Sequence, residues 1–90
     1  MTYGIEFKPA AARDLKRLPI AAAKRVARAI DRLGTESRPR GVKKLQGKAE
    51  HVFYRVRVGD YRVIYQVHDD QVLVLVVRIA DRKDAYRLQL

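Results

Sequence analysis

The stretch from Tyr54 to Tyr65, YRVRVGDYRVIY, restricts the fold more than any other part of the chain. Two runs of alternating apolar and polar residues meet at Gly59-Asp60, a Gly-X pair that suits the type II′ turn of a β-hairpin. With a two-residue loop, Val58 faces Tyr61, Arg57 faces Arg62, Val56 faces Val63 and Arg55 faces Ile64. Side chains alternate between faces along a strand. Tyr54, Val56, Val58, Tyr61, Val63 and Tyr65 therefore share an apolar side, and Arg55, Arg57 and Arg62 share the other. Like charges set opposite one another destabilise a sheet, so Arg57 against Arg62 calls for compensation. An anion lying over that face would provide it.

The rest of the chain supports a polyanionic partner. Its 90 residues make a single domain, 1–90, and carry a formal net charge of +10. Such an excess favours nucleic acid or an acidic protein over a membrane surface. Arginine is the basic residue chosen in the hairpin, and its planar fork grips phosphate bidentately. The chain has no cysteine, which removes disulfides, cysteine-based zinc sites and thiol nucleophiles. It opens MTYGIEFKPAA without a hydrophobic signal core, and no apolar run approaches the roughly 18 residues of a membrane span. A cytoplasmic protein that does not engage membranes is the expectation.

In chain order, Thr2 to Phe7 alternates and predicts a first strand with Tyr3, Ile5 and Phe7 on one side. Pro9 suits the first turn of a helix, and Ala11, Ala12, Leu15 and Leu18 give it an apolar stripe, with Arg13, Asp14, Lys16 and Arg17 mostly outside. Pro19 ends that helix and starts another, in which Ile20, Ala23, Ala27, Ile30 and Leu33 recur at helical spacing. Gly34 stands where a C-terminal cap belongs, and Lys24, Arg25, Arg28 and Arg32 read as a solvated outer side. Thr35 to Gly47 is a loop by composition. A strand follows Val52, then the arginine hairpin, a turn near Asp69-Asp70, and a strand from Gln71 to Ala80. That last strand is apolar on both faces, which marks an inner position, though the facing of Leu73, Leu75, Val77 and Ile79 depends on the turn length. The expected fold is α+β: an N-terminal strand, a helical hairpin and a three-stranded antiparallel meander, with the helices on one face of a four-stranded sheet. The first strand lies beside the 71–80 strand, and two helices leave apolar surface on the opposite face for a partner.

Little conventional catalytic equipment is available. His51 and His68 sit at strand ends with no carboxylate cluster to make a metal site, and no nucleophile motif or phosphate-binding glycine loop stands out. A basic face plus tyrosine remains: Arg55, Arg57, Arg62, Arg82 and Tyr86. Such a set suits RNA cleavage by its own 2′-hydroxyl, which requires orientation, charge stabilisation and proton transfer rather than a metal or other cofactor. The alternative is that these arginines merely solvate an exposed strand face. Tyr54, Tyr61 and Tyr65 fall on the apolar side and read as core.

Four segments, AARDLKRLP, VKKLQG, YRVRVGDYRVIYQV and VVRIADRKDAYR, together resemble the RelE/ParE toxin superfamily, in particular its RelE-like mRNA-cleaving branch. They fall in order across nearly the whole chain, and the GDYRVIY turn followed by a closing R-x-x-x-Y is the more specific part. The resemblance implies cleavage of translated mRNA in the ribosomal A site and neutralisation by a cognate antitoxin, with the toxin–antitoxin complex able to bind operator DNA. It assigns Arg62, Arg82 and Tyr86 to catalysis, and Arg55, Arg57, Lys43 and Lys44 to RNA binding. Where many relatives have histidine before the closing arginine this chain has Asp81, and arginine does not deprotonate in proteins, so the acid–base role falls to Tyr86. The ParE-like branch, which poisons DNA gyrase, and a purely binding module are the competing readings.

Overall fold

Eight short elements follow one another in the computed structural model, which describes residues 2–45 and 52–83. They are β1 (Gly4–Phe7), α1 (Pro9–Arg17), α2 (Ile20–Leu33), β2 (Lys43–Leu45), β3 (Phe53–Val58), β4 (Tyr61–His68), a 3₁₀ turn (Asp69–Gln71) and β5 (Leu73–Asp81). The strands form one sheet in the order β1-β5-β4-β3-β2, so β5 is internal and β1 runs parallel beside it. All other neighbours are antiparallel. The sheet thus has five strands where four were expected. The fifth is β2, whose three residues lie inside a segment that glycines and a proline mark as loop; pairing with Phe53–Arg55 makes it a strand.

The hairpin register is the one its pattern demands, with Val58 opposite Tyr61 and Arg57 opposite Arg62. Gly59 has φ +58° and Asp60 is not left-handed, in keeping with a II′ turn. Pro9 occupies the start of α1. Pro19 forces Leu18 into an extended conformation (φ −75°, ψ 148°), which ends α1 and lets α2 begin at once.

The helices cover one face of the sheet. Ala11, Val26, Ile30 and Leu33 are buried against Val58, Val63, Tyr65, Val74, Val76 and Ile79, with Tyr3, Ile5, Leu15 and Leu18 packed around them. The inward stripe of α2 runs through Val26 rather than Ile20, which is 77% exposed. Ile20 lies about a third of a turn from Val26 around the helix axis. Gly34 is not a left-handed cap: its backbone is right-handed (φ −65°, ψ −33°). A Cβ there would come within 3.0 Å of the Tyr3 carbonyl oxygen, so the glycine serves the close approach of the chain entering β1. Tyr3 N–H donates to Gly34 O at 2.7 Å across the same contact.

The facing of β5 is settled by a β-bulge. Tyr65 pairs with Val76 but Ile64 pairs with Arg78, so Val77 is the extra residue. The bulge switches the alternation: Val74 and Val76 point to the helices before it, and Ile79 does so after it. Asp14, expected outside, reaches this point instead. Its carboxylate accepts from Arg78 Nε at 2.8 Å, Arg78 Nη2 at 3.2 Å and the Ile79 backbone N–H at 3.0 Å. The strand begins at Leu73 rather than Gln71, after a turn in which Val72 is left-handed (φ 52°).

The opposite face is not the exposed apolar surface expected of it. Phe53, Ile64 and Val77 form a second buried cluster there, with Leu45 packed on it.

Candidate nucleic-acid interface

The basic face grows directly from the strand alternation. Lys43 pairs with Arg55, Arg55 with Ile64 and Arg57 with Arg62, so that Lys43, Arg55, Arg57 and Arg62 all point away from the helices. Together with Gly41 they line a cavity of about 170 Å³ on the outer face. Among the described residues no carboxylate contributes to its lining. Four cationic side chains converge on this space, and arginine forks favour a phosphate with oxygens to share. The cavity adjoins the Phe53–Ile64–Val77 cluster through Ile64, the partner of Arg55. The outer face is therefore divided into a basic end and an apolar end.

The remaining site candidates are distributed differently. Lys44 pairs with Tyr54 and so belongs to the helix side of the sheet, apart from Lys43. Arg82 does not line the cavity, but its backbone N–H donates to Asp60 O at 2.8 Å, which holds it beside the hairpin turn. Arg62 pairs with Ala80, two residues before Arg82, so both arginines belong to the same end of the sheet. Tyr86 and His51 lie outside the described residues. His68 Nε2 lies 3.0 Å from Gln66 Oε1, and among the described residues no three His, Asp or Glu side chains gather as a metal site would require.

Sequence reasoning missed the network that holds the wall bearing Gly41 and Lys43. Arg38, in the loop leading to β2, makes an ion pair with Asp69 (Nη2 to Oδ2, 2.8 Å) and donates from Nε to the Tyr54 hydroxyl at 3.0 Å. Its guanidinium also stands 5.4 Å from the centre of the Tyr54 ring, in cation–π range. Tyr3 donates its hydroxyl to Asp69 Oδ1 at 2.7 Å. Hydrogen bonds from Arg38 and then from Tyr3 hold the Asp69 carboxyl below the usual carboxylate range. Tyr65 donates to Ser37 O at 2.8 Å and stacks on Tyr54 with ring centres 5.7 Å apart. Burial, and secondarily Tyr54, push the Tyr65 hydroxyl up to about 12. These partners lie up to 66 residues apart in sequence, and no local pattern announces them.

A second, larger hollow of about 690 Å³ separates α2 from β3. Lys24, Arg25, Arg28 and Arg32 rim it, while Leu33, Val56 and Val58 contribute apolar lining. The helix-borne cations are exposed, as their reading as a solvated face implies, but they also wall a groove. Arg57 lines both hollows.

A parallel β1–β5 pair, a helical hairpin on one face of the sheet and an arginine-bearing β3–β4 hairpin within it define the fold, and comparison with known proteins identifies its family. The profile of the ParE toxin of type II toxin–antitoxin systems (parDE) matches residues 5–86. The chain belongs to the RelE/ParE toxin superfamily, and within it is RelE-like. The RelG toxin of Mycobacterium tuberculosis is 35% identical over 89 residues, covering 97% of this chain and 99% of that protein. A toxin candidate named RelE1 from Methanocaldococcus jannaschii is 33% identical, covering 97% and 98%. Among solved structures, the archaeal RelE–RelB complex from Pyrococcus horikoshii superposes with a TM-score of 0.80 at 34% identity, over 94% of this chain and 100% of that one. Among the described residues no helix is long and apolar enough to cross a membrane.

Proposed function

We propose that the protein is a ribosome-dependent endoribonuclease toxin. It cleaves translated mRNA in the A site by attack of a 2′-hydroxyl on the adjoining phosphodiester, which forms a 2′,3′-cyclic phosphate as the P–O5′ bond breaks and the 5′-oxygen leaves as a hydroxyl protonated from solvent, and a cognate antitoxin neutralises it. The observation that carries this reading is the outer-face cavity lined by Lys43, Arg55, Arg57 and Arg62. Arg62 and Arg82 bind the scissile phosphate and stabilise the charge that builds on it, while Arg55, Arg57 and Lys43 hold the flanking backbone. Lys44 stays at the margin of the RNA path. The 2′-hydroxyl is an internal nucleophile and the arginines supply the positive charge, so the step requires no metal. Arginine is no general base, and Tyr86 orients or deprotonates the attacking hydroxyl. With no strong base among the described residues that line the cavity, the ribosome supplies alignment by holding the mRNA bent. The relative from Pyrococcus horikoshii was crystallised as a RelE–RelB complex, which supports an antitoxin partner for this chain.

The test is single-turnover cleavage of ribosome-bound mRNA. Arg62→Ala and Arg82→Ala each slow it by about 10²-fold or more, the cost of losing one well-placed donor to a developing anion. Tyr86→Phe slows it by ~10²–10⁴ if the hydroxyl moves a proton. Wild-type rates for both arginine variants sink the catalytic reading. The match to a ParE profile favours a second reading, action on DNA gyrase, for which induction produces gyrase-linked DNA breaks and no codon-phased mRNA cuts.

A further inference from the structure

The small basic cavity has one wall that the sheet by itself holds weakly. Gly41 and Lys43 form that wall, and Lys43 lies on β2, an edge strand of three residues paired with β3. A segment with so few backbone pairings opens at low free energy unless other contacts fasten it. The chain enters β2 through a tight turn. Val42 N–H donates to Pro39 O at 3.1 Å and Gly41 has φ +88°, as glycine does at the third position of a type II turn. Val42 packs on the main core. The turn is therefore a short, closed spacer, with Lys43 at one end and Arg38 at the other.

Arg38 is gripped from several sides. Its fork meets Asp69 twice, Nη2 to Oδ2 at 2.8 Å and Nη1 to Oδ1 at 3.4 Å, and its Nε donates to the Tyr54 hydroxyl at 3.0 Å. Tyr3 donates to the same Asp69 carboxylate, and Tyr65 holds the carbonyl of Ser37 just before Arg38. The side chains of Arg38 and Asp69 are 41% and 57% exposed, and ion pairs so exposed contribute little to stability. What a bidentate fork does provide is a fixed geometry. Arg38, Asp69 and Tyr3 do not line the cavity, so they act on it only through the loop they hold.

We infer that Arg38 and Asp69 are positioning residues for the RNA site: their ion pair, clamped by Tyr3 and Tyr54, sets where Gly41 and Lys43 stand and so aims the Lys43 ammonium at the RNA backbone. This rests on the reading of the cavity as the RNA site. A carboxylate thereby strengthens the binding of a polyanion, the reverse of what its charge does through space.

The experiment measures, by fluorescence anisotropy at a series of salt concentrations, the affinity of the full chain for a short single-stranded RNA. Asp69→Asn removes the carboxylate that the fork grips, and Asp70→Asn makes the same change in charge one residue along the turn as a control. Arg38→Gln breaks the pair from its other side, and circular dichroism confirms folding of each variant. General attraction tightens RNA binding for both aspartate variants, since each raises the net positive charge. Positioning instead weakens it about fivefold for Asp69→Asn, close to the loss for Lys43→Ala, and leaves Asp70→Asn unweakened. One phosphate contact on a single strand contributes about 0.7 to the slope of log affinity against log salt, so Asp69→Asn flattens the slope towards that of Lys43→Ala. With Lys43→Ala already present, Asp69→Asn and Arg38→Gln cost nothing further; with Arg62→Ala present, they keep their full effect. Equal losses in both backgrounds overturn the proposal, because they mean a lesion spread through the fold. Undiminished RNA binding by Asp69→Asn, with Lys43→Ala and Arg62→Ala both weakened, overturns the positioning role and leaves the cavity as the RNA site. RNA affinity indifferent to both Lys43→Ala and Arg62→Ala removes the cavity reading, and the positioning role with it.

Discussion

Asp14→Ala tests how α1 is fastened to the sheet. The carboxylate accepts two hydrogen bonds from Arg78 and one from the Ile79 backbone N–H, at the point where the β-bulge interrupts regular pairing. Ile79 is 3% exposed, so its N–H has no ready access to water once Asp14 is gone. An unsatisfied buried donor costs ~1–3 kcal/mol, and a hydrogen bond to a charged group contributes ~1.5–3 kcal/mol. The Arg78 side chain is 33% exposed and can be rehydrated, which discounts the ion-pair share. The total is about 3–4 kcal/mol, a large part of the 5–15 kcal/mol typical of a folded domain. For a chain of this size that lowers the melting temperature by roughly 12–30 °C. Asp14→Asn keeps a carbonyl oxygen for Ile79 N–H and loses only the ion pair, so its cost is about 1–2 kcal/mol. Urea denaturation followed by circular dichroism measures both. A loss below ~1 kcal/mol for Asp14→Ala refutes the argument, and equal losses for the two variants show that the main-chain bond is not what matters.

Three further substitutions probe backbone and titration. Gly34→Ala destabilises by about 1–3 kcal/mol despite dihedral angles that suit alanine, because its Cβ meets backbone oxygens of Tyr3 and Asp31 at 3.0 and 3.2 Å; thermal melts check this. Val72→Asn stabilises by roughly 1 kcal/mol, since a β-branched residue is costly at φ 52° and asparagine tolerates that region; an unchanged melting temperature counts against strain there. Tyr65 bears on alkaline stability. Its hydroxyl is raised to about 12 in the folded chain, so the stabilisation is complete below the unfolded value near 10 and is lost as pH rises from there through about 12. Tyr65→Phe flattens that loss in denaturation measured across the same window, while giving up the bond to Ser37 O for ~1 kcal/mol near neutrality.

Much of this architecture was legible in local pattern. The hairpin register from Arg55–Ile64 to Val58–Tyr61 follows from a two-residue glycine turn, since a period of two leaves no freedom once the turn length is set. The division of Arg55, Arg57 and Arg62 from the tyrosines follows for the same reason. Pro9 and Pro19 likewise mark helix starts through their own covalent geometry. Other features depend on contacts between distant segments. β2 exists because Lys43–Leu45 finds an edge of β3 to pair with, a partnership that glycine-rich composition conceals. The inner and outer faces of β5 depend on a bulge at Val77, and an all-apolar strand carries no alternation from which to read it. Asp14 looks like an ordinary exposed helix residue until Arg78 arrives 64 positions later. Gly34 looks like a helix cap until the chain entering β1 packs against it. The groove beside α2 is a space between two elements, and its lining joins residues whose separate patterns read only as a solvated helix face and a strand. Local periodicity dictates which way a side chain points along its own element; only packing decides what it meets there.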